Sequence, residues 1–388
     1  MNRIKDLRIA RGLSLQGLAD ATGNAVSRQA LWKYETGADQ PGPSILVKLA
    51  EALGVKALEL FSAPSFSIEG LQFRARAGFR KKERARLTSL LARVLERRIW
   101  LQQKSGKEQK SPPPVRAFKV SSAAEAEAAA TSLRSFWGLG NSPIQNVVRL
   151  LESQGVFVVE LEGDGKFDGL CAVARDPDGT VLGIAIAFRK GCTWSRQRFS
   201  LLHELGHVVC DISGKTDKEA EKLVNRFAGA LMITWKELDR LVGHSRRRLT
   251  LEELLIFKTY FGASLQCLVT RLYERGLIGI REYRASWDYF KKQGWIEKEP
   301  QENPPEESKW ALMTALAAYA EGILSSDEAA EFIGGKRPHP LRQLSNDRMQ
   351  FLELPLSKRR KGLREQTANV QTSEEGTDWD ATLSDGLR

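Results

Sequence analysis

The sequence has few of the residues that stabilise secreted or membrane-embedded proteins. Only four cysteines occur among 388 residues, Cys171, Cys192, Cys210 and Cys267, and no two form a C-x-x-C pair. A disulfide framework or a cysteine-rich zinc finger is therefore not expected. No uninterrupted apolar run reaches the length of a membrane span, and the first residues lack the apolar core of a signal peptide. These absences predict a soluble cytoplasmic protein with no membrane partner.

Positive charge is abundant and concentrated in one segment. The net charge is +11, and a basic protein tends to meet nucleic acid or an acidic partner. Between Leu71 and Val120 there are 15 basic residues against 3 acidic ones, a net charge of +12. This segment is expected to track DNA phosphates, to bind an acidic partner, or to be a solvated helix face, and the sequence leaves the three open.

The pattern of apolar residues predicts a multidomain, mostly α-helical chain with one α+β domain. The predicted segments are a compact helical unit at 1–65, a basic helix and Pro-containing linker at 66–120, an α+β domain at 121–245, a helical extension at 246–300, a C-terminal helical region at 301–364 and a disordered tail at 365–388. Within the α+β domain we expect helices from Ser122 and over 143–154, and strands over 156–161 and 181–188. The helical region over 309–333 is either a surface for a homodimer or partner, or ordinary core.

The first 62 residues contain a helix, a tight turn and a second helix. Ser14 is expected to cap the first helix, Gly23 to form the turn, and Ser27 to cap a helix running through Glu35. Such a unit places polar side chains in the DNA major groove and on the phosphates. The expected DNA contacts are Gln16, Ser27, Arg28, Gln29, Trp32 and Lys33. The alternative is a helical protein-interaction module whose basic residues are merely solvated.

Two of the four histidines lie four residues apart, with a glutamate directly after the first. On a helix, His203 and His207 share one face, so both imidazoles can reach one zinc ion. Glu204 is then placed to accept a proton from an attacking water and to pass it to the leaving amine. The pattern indicates a catalytic zinc site.

A catalytic zinc site needs a third protein ligand, and a later helix offers one. Glu221 can complete the coordination, and Asn225, four residues further, can orient a ligand. Glu219 is the competing choice. A purely structural zinc would need a fourth protein ligand, for which the sequence has no convincing candidate.

These motifs resemble two known families. Residues 3–62, with Leu7-Arg8-x-x-Arg11-Gly12-Leu13-Ser14 and Leu49-Ala50-x-x-Leu53-Gly54-Val55, are similar to the XRE-type (Cro/repressor-like) helix-turn-helix domain, which implies five helices. The run Arg196 to His207, followed by Asn225-x-Phe227-Ala228, resembles the ImmA/IrrE metallopeptidases over about residues 140–300. Val224 stands where that family commonly has alanine.

The second resemblance implies a zincin-like domain in which His203, His207 and Glu221 bind Zn²⁺ and Glu204 is the general base. It also implies a protein substrate, typically a transcriptional repressor. The chain is therefore expected to control a stress, mobile-element or toxin–antitoxin operon by binding an operator and cleaving a regulatory protein. The alternative is an antitoxin or repressor whose peptidase-like domain is a non-proteolytic sensor or docks a co-encoded partner. Arg198, His244 and Tyr260 are the candidates for stabilising the oxyanion.

Overall fold

The computed structural model describes residues 3–61, 66–75, 79–106, 112–163, 167–243, 249–334 and 338, with the side chains of 70–75 left out. The chain divides into two compact units at residues 314 and 315. The predicted tail over 365–388 and the candidate His244 lie outside the described residues. Among the residues described, no helix has both the length and the apolar character needed to cross a bilayer.

The N-terminal part of the first unit is a small helical bundle. It contains α1 (Ile4–Ala10), α2 (Leu15–Ala21), α3 (Arg28–Thr36), α4 (Pro43–Leu53) and a 3-10 helix (Ala57–Leu60). Ser14 and Ser27 cap α2 and α3 as predicted, accepting hydrogen bonds from the amides of Gly17 and Ala30 at 2.9 Å and 3.2 Å. The caps satisfy backbone donors that the first turn leaves unpaired. Leu18, Leu31 and Leu49 are fully buried in the bundle's core.

A four-stranded mixed sheet forms the centre of the first unit. Its strands are β1 (Ser67–Ala75), β3 (Val156–Leu161), β4 (Phe167–Arg175) and β5 (Val181–Arg189), in the order β1-β4-β5-β3. Strand β5 pairs parallel with β3 and antiparallel with β4, while β1 pairs antiparallel with β4 at one edge. A second, two-stranded parallel sheet joins β2 (Phe118–Lys119) to β6 (Cys210–Asp211).

Helices cover both faces of the four-stranded sheet. The helices of the first unit after the bundle are α5 (Lys81–Ser105), α6 (Ala123–Phe136), α7 (Val147–Ser153), α8 (Trp194–Val209), α9 (Asp217–Met232), α10 (Trp235–Val242), α11 (Leu251–Phe261), α12 (Leu265–Arg275) and α13 (Ile280–Lys292). Alternate residues of the strands face the two sides: Cys171 and Val173 belong to the core shared with α8, whereas Leu170 and Ala172 belong to the core shared with α5. This alternation follows from the two-residue period of a strand.

The second unit begins within α14 (Trp310–Ala320) and includes α15 (Ser326–Ala330). Ser325 caps α15 by accepting from the amide of Glu328 at 3.2 Å. These two helices account for the helical pair expected over 309–333.

The basic segment contributes regular structure that the sequence did not predict. Residues 67–75 form β1, and the register of β1 against β4 shifts between Glu69 and Gln72. Such a bulge changes the phase of the alternation, which hides a strand in the sequence pattern. Helix α5 packs Leu87, Leu91 and Leu95 against the sheet, so one face of the basic helix is core and not solvated.

Helix α7 is shorter than predicted. It begins at Val147 instead of Pro143, because the side chain of Asn146 accepts a hydrogen bond from the amide of Arg149 at 2.7 Å and caps the helix there. The carbonyl groups of Ile144 and Gln145, just before the cap, accept hydrogen bonds from Arg198.

Candidate metal centre and helix-turn-helix surface

Helices α8 and α9 bring the predicted metal ligands together. His203 and His207 lie one turn apart on α8, and their Nε2 atoms are 3.1 Å apart. The carboxylate of Glu221 on α9 reaches both: Oε1 lies 3.2 Å from Nε2 of His207, and Oε2 lies 3.4 Å from Nε2 of His203. These three residues form a group whose ligand atoms lie within 4.8 Å of one another.

The spacing of these atoms matches a tetrahedral zinc site. Two ligand atoms that are each about 2.1 Å from a tetrahedral zinc lie about 3.4 Å from one another. The three distances here run from 3.1 to 3.4 Å, and the two to Glu221 involve its two different carboxylate oxygens, so two imidazoles and one carboxylate surround a common point as three zinc ligands do. No fourth His, Cys, Asp or Glu joins the group among the described residues.

Glu221 rather than Glu219 belongs to this group. Glu219 is committed to the start of α9, where its carboxylate accepts hydrogen bonds from the amide and hydroxyl groups of Thr216 at 3.0 Å and 2.8 Å. Burial acts to raise the pKa of Glu221, but hydrogen bonds to His203 and His207 outweigh it and hold that pKa well below its ordinary value. A lowered pKa favours the ionised carboxylate, which is the form that binds a metal.

Asn225 lies where it orients His203. Its Oδ1 atom is 2.9 Å from Nδ1 of His203. An amide oxygen can only accept a hydrogen bond, so Nδ1 carries a proton, and Nε2 is the atom that would present a lone pair to a bound metal ion. His203 is fully buried, which leaves the imidazole ring little freedom to turn.

Glu204 is fully buried between α8 and β4. Gly169 of β4 lies directly against it, because a Cβ atom at this position would come within 2.8 Å of both Cγ and Cδ of Glu204. On β1, Arg74 is the backbone partner of Gly169, so the edge of the sheet also passes beside Glu204. The absent side chain at Gly169 is what makes room for the carboxylate.

A second glycine allows the two helices of the site to approach closely. A Cβ atom on Gly206 of α8 would lie 2.9 Å from side-chain atoms of both Val224 and Phe227 on α9. Glycine at position 206 therefore sets the distance between α8 and α9. That distance places Glu221 within reach of both histidines.

The two described oxyanion candidates are occupied by other partners. Arg198 is buried, donates to Glu306 at 2.7 Å, and also donates to the carbonyl groups before α7. The hydroxyl of Tyr260 donates to Glu237 and accepts from Arg240 at 3.3 Å. Neither group is available to a substrate without giving up these bonds.

The predicted DNA-contacting residues form an exposed surface on the bundle. Arg28, Gln29 and Lys33 are exposed on α3, and Trp32 is 56% exposed. Between them, Leu31 is buried and Ala30 and Tyr34 pack partly into the core. The side chain of Ser27 caps α3. On α2, Gln16 is exposed and donates to Asp20 at 2.9 Å.

Comparison with protein families identifies both parts of the chain. Residues 4–60 match the helix-turn-helix family, and residues 193–273 match the family described as the IrrE N-terminal-like domain, a peptidase family. The chain therefore joins an XRE-type helix-turn-helix domain to an IrrE-like peptidase domain, as its motifs predicted. A comparison with curated proteins finds no match.

Proposed function

We propose that this protein is a DNA-binding transcriptional regulator that also acts as a zinc-dependent endopeptidase on a regulatory protein. One observation carries the peptidase proposal: the ligand atoms of His203, His207 and Glu221 have the spacing of a tetrahedral zinc site. Glu204, the residue after the first histidine, is fully buried against Gly169. The match to a peptidase family that is typically zinc-dependent supports the same conclusion.

Each residue of the site has a distinct role in this proposal. A zinc ion held by His203, His207 and Glu221 would polarise the scissile carbonyl and make water more acidic. Asn225 keeps Nε2 of His203 free to bind the ion. Glu204 accepts the proton of the attacking water and then donates it to the leaving amine. Because Glu204 is buried, its carboxylate is held in one place for both transfers.

The DNA-binding proposal places α3 in the major groove of a double-stranded operator. Gln29 reads adenine, and Arg28 reads guanine or holds a phosphate. Lys33 and Ser27 fix the register on the backbone, with Gln16 and Trp32 beside them. Two copies of the chain would read paired half-sites as a homodimer. The operator would belong to a stress, mobile-element or toxin–antitoxin operon.

The decisive experiment combines zinc analysis with a cleavage assay. Zinc is measured in the purified protein and in the His203→Ala and Glu221→Ala variants. The protein is then incubated with the products of neighbouring genes, and fragments are identified by mass spectrometry. We expect about one zinc per chain, lost in both variants, and a cut that Glu204→Gln abolishes while it retains zinc. A cut that survives Glu204→Gln would overturn the peptidase proposal.

The alternative, a sensor or antitoxin whose peptidase-like domain docks a co-encoded partner, is favoured by one observation. Arg198 and Tyr260, the described candidates for oxyanion stabilisation, already hold other groups. Without such a group, an acyl-transfer site loses a large part of its rate enhancement. Zinc binding together with an uncut neighbour that forms a stable complex would establish this alternative.

A further inference from the structure

A cavity of about 710 Å³ adjoins the candidate metal centre. It lies between α8, α9, α12 and α13 and is bordered by the segment that follows α13. Two of its wall residues also contact His203. Asn225 hydrogen-bonds to Nδ1 of His203, and the ring centroid of Phe199 is 6.4 Å from that of His203. The walls of the cavity therefore contact one metal ligand, His203, although none of the three ligands lines the cavity itself.

The walls that a ligand would touch are largely apolar. They include Phe199, Leu223, Trp287, Trp295 and Ile296. Cavities of this volume with such walls are typical of sites that enclose apolar groups.

Two carboxylates of the segment that follows α13 are paired with a buried cation. We call residues 295–306 the acidic strap. Glu299 and Glu302 share the fully buried ammonium group of Lys258, at 2.8 Å and 2.6 Å. Glu302 also accepts hydrogen bonds from the amide and hydroxyl groups of Ser195 at the start of α8, and Glu299 accepts from the amide of Leu265 at the start of α12. Each carboxylate thus meets both a cation and the positive end of a helix dipole.

The acidic strap is also fastened beyond the cavity. Gln197 donates its side-chain amide to the carbonyl group of Glu306 and accepts from the amide of Glu306, both at 2.7 Å. The carboxylate of Glu306 pairs with Arg198 and caps Val148 at the start of α7. These bonds attach the strap to α8 and to the start of α7.

The cations of the opposite walls are neutralised in the same way. Arg226 pairs with Glu127 and Glu274, and Arg196 pairs with Asp168 at 2.9 Å. Lys222 and Glu297 are exposed and stay hydrated when the cavity fills. The cavity consequently has no unopposed buried charge with which to attract an ion, and its favourable contribution to binding comes from burying apolar surface.

We propose that this cavity is a specificity pocket for a bulky apolar side chain, leucine or phenylalanine, of the polypeptide that binds at the metal centre. The proposal rests on the proposed function, because it takes a polypeptide as the ligand. Successive residues of an extended chain are about 3.3–3.6 Å apart. A polypeptide whose carbonyl group lies at His203 therefore brings a neighbouring side chain to the wall formed by Phe199 and Asn225.

The test measures binding and not cleavage, so that it stands apart from the peptidase assay. The probes are blocked pentapeptides, acetyl-Gly-Gly-X-Gly-Gly-amide, with X as alanine, leucine, phenylalanine or aspartate. They are titrated into the Glu204→Gln protein, and binding is followed by calorimetry and by intrinsic tryptophan fluorescence. We expect the leucine and phenylalanine peptides to bind about tenfold or more tightly than the alanine peptide, and the aspartate peptide to bind no better than alanine.

A cavity-filling variant and a matched control locate the binding site. Thr270 on α12 lines the cavity, and its hydroxyl donates only to the carbonyl of Gln266 one turn earlier. Thr270→Phe places a bulky ring in the cavity and should remove the preference for leucine and phenylalanine. Thr259 makes the same bond to Leu255 on the exposed side of α11, so Thr259→Phe should leave the preference intact.

Two outcomes would overturn the pocket. One is equal or undetectable binding of the four peptides by the Glu204→Gln protein, and the other is a preference that survives Thr270→Phe. Failure of the proposed function is seen separately, as absence of zinc or of cleavage in the wild-type protein. A peptide preference that Thr270→Phe abolishes supports the pocket even when the protein cuts nothing.

Discussion

Oδ1 of Asn225 lies 2.9 Å from Nδ1 of His203, and this bond leaves Nε2 as the nitrogen that faces the candidate metal centre. Replacing Asn225 by alanine leaves the ligand set intact but frees the ring to turn or to change tautomer. Loss of such a supporting bond typically costs 10- to 100-fold in metal affinity. We therefore expect Asn225→Ala to bind zinc about 10- to 100-fold more weakly, as measured by competition with a chromophoric chelator.

Asn141→Ala is the control for this prediction, because that asparagine is exposed and only its backbone carbonyl is used, by Thr234. Its zinc affinity should equal that of the wild-type protein. An unchanged affinity in Asn225→Ala would show that the amide does not position His203.

Gly169→Ala tests whether the position of Glu204 matters for catalysis. The new methyl group would come within 2.8 Å of Cγ and Cδ of Glu204, so the carboxylate must move. General acid–base catalysis by a positioned group contributes about 10²- to 10⁴-fold, and we expect a loss of cleavage rate in this range with zinc content unchanged. The measurement is the rate of cleavage of the identified substrate protein beside metal analysis of the same sample.

Gly42→Ala is the matched substitution, since a Cβ atom there meets nothing within 4 Å. It should cleave at the wild-type rate. Full activity in Gly169→Ala would mean that Glu204 adapts, and that its confinement is not required.

The parts of this structure that depend on local sequence were predictable, and those that depend on distant residues were not. Helix starts at Ser14, Ser27 and Ser122 follow from side chains that bond to amides three residues away, and the pairing of His203 with His207 follows from helix geometry. For the third metal ligand, the sequence left two candidates, Glu221 and Glu219, and the four-residue spacing of Glu221 from Asn225 was the argument for Glu221. A capping box explains why Glu219 is used elsewhere, and that signal was present in the sequence as Thr216-x-x-Glu219.

The contacts around Glu204 had no local signal. Gly169 lies in a strand, and the sequence does not show that it leaves room for the side chain of Glu204. That role follows only from the packing of β4 against α8. Similarly, the sequence did not predict that the arginine-rich helix α5 packs against the sheet. The spacing of its apolar residues predicts a buried helix face, but it does not indicate which element covers that face. Asn225 and Trp287 both line the cavity although they lie far apart in the chain. Sequence patterns do not predict that such distant residues come together.

Gly206→Ala tests the close approach of α8 and α9. Its methyl group would lie 2.9 Å from side-chain atoms of Val224 and Phe227, which is overpacking of a buried interface. Such changes cost about 1–3 kcal/mol, so we expect the free energy of unfolding to fall by that amount and the zinc affinity to fall with it. Denaturant unfolding with and without zinc measures both effects.

Val224→Ala removes one of the two crowding groups and should partly restore stability and zinc affinity in the double variant. Greater than additive recovery is expected because the two side chains are in contact. If the loss of unfolding free energy in the double variant equals the sum of the losses in the two single variants, Gly206 does not set the spacing of the two helices.

Arg28→Ala combined with Gln29→Ala tests the DNA-binding surface. Both residues are exposed on α3 and neither belongs to the core of the bundle, so the domain should fold normally. We expect sequence-specific operator binding to be abolished and zinc content to be unchanged, as measured by electrophoretic mobility shift at fixed salt. Gln40→Ala, at an exposed position after α3, is the control and should bind as the wild type does; retained specific binding by the double variant would refute the assignment.

Lys258→Met tests whether the ion pairs of Lys258 hold the acidic strap in place. Its ammonium group is fully buried between Glu299 and Glu302, and Lys258→Met leaves those two carboxylates facing each other without a cation. Removing one member of a buried ion pair costs about 3–5 kcal/mol. We expect a loss of stability of this size in denaturant unfolding, whereas Lys236→Met at an exposed position of α10 should change stability little. Equal stability of the two variants would show that the strap is held by its bonds to the helix starts and to Gln197 rather than by Lys258.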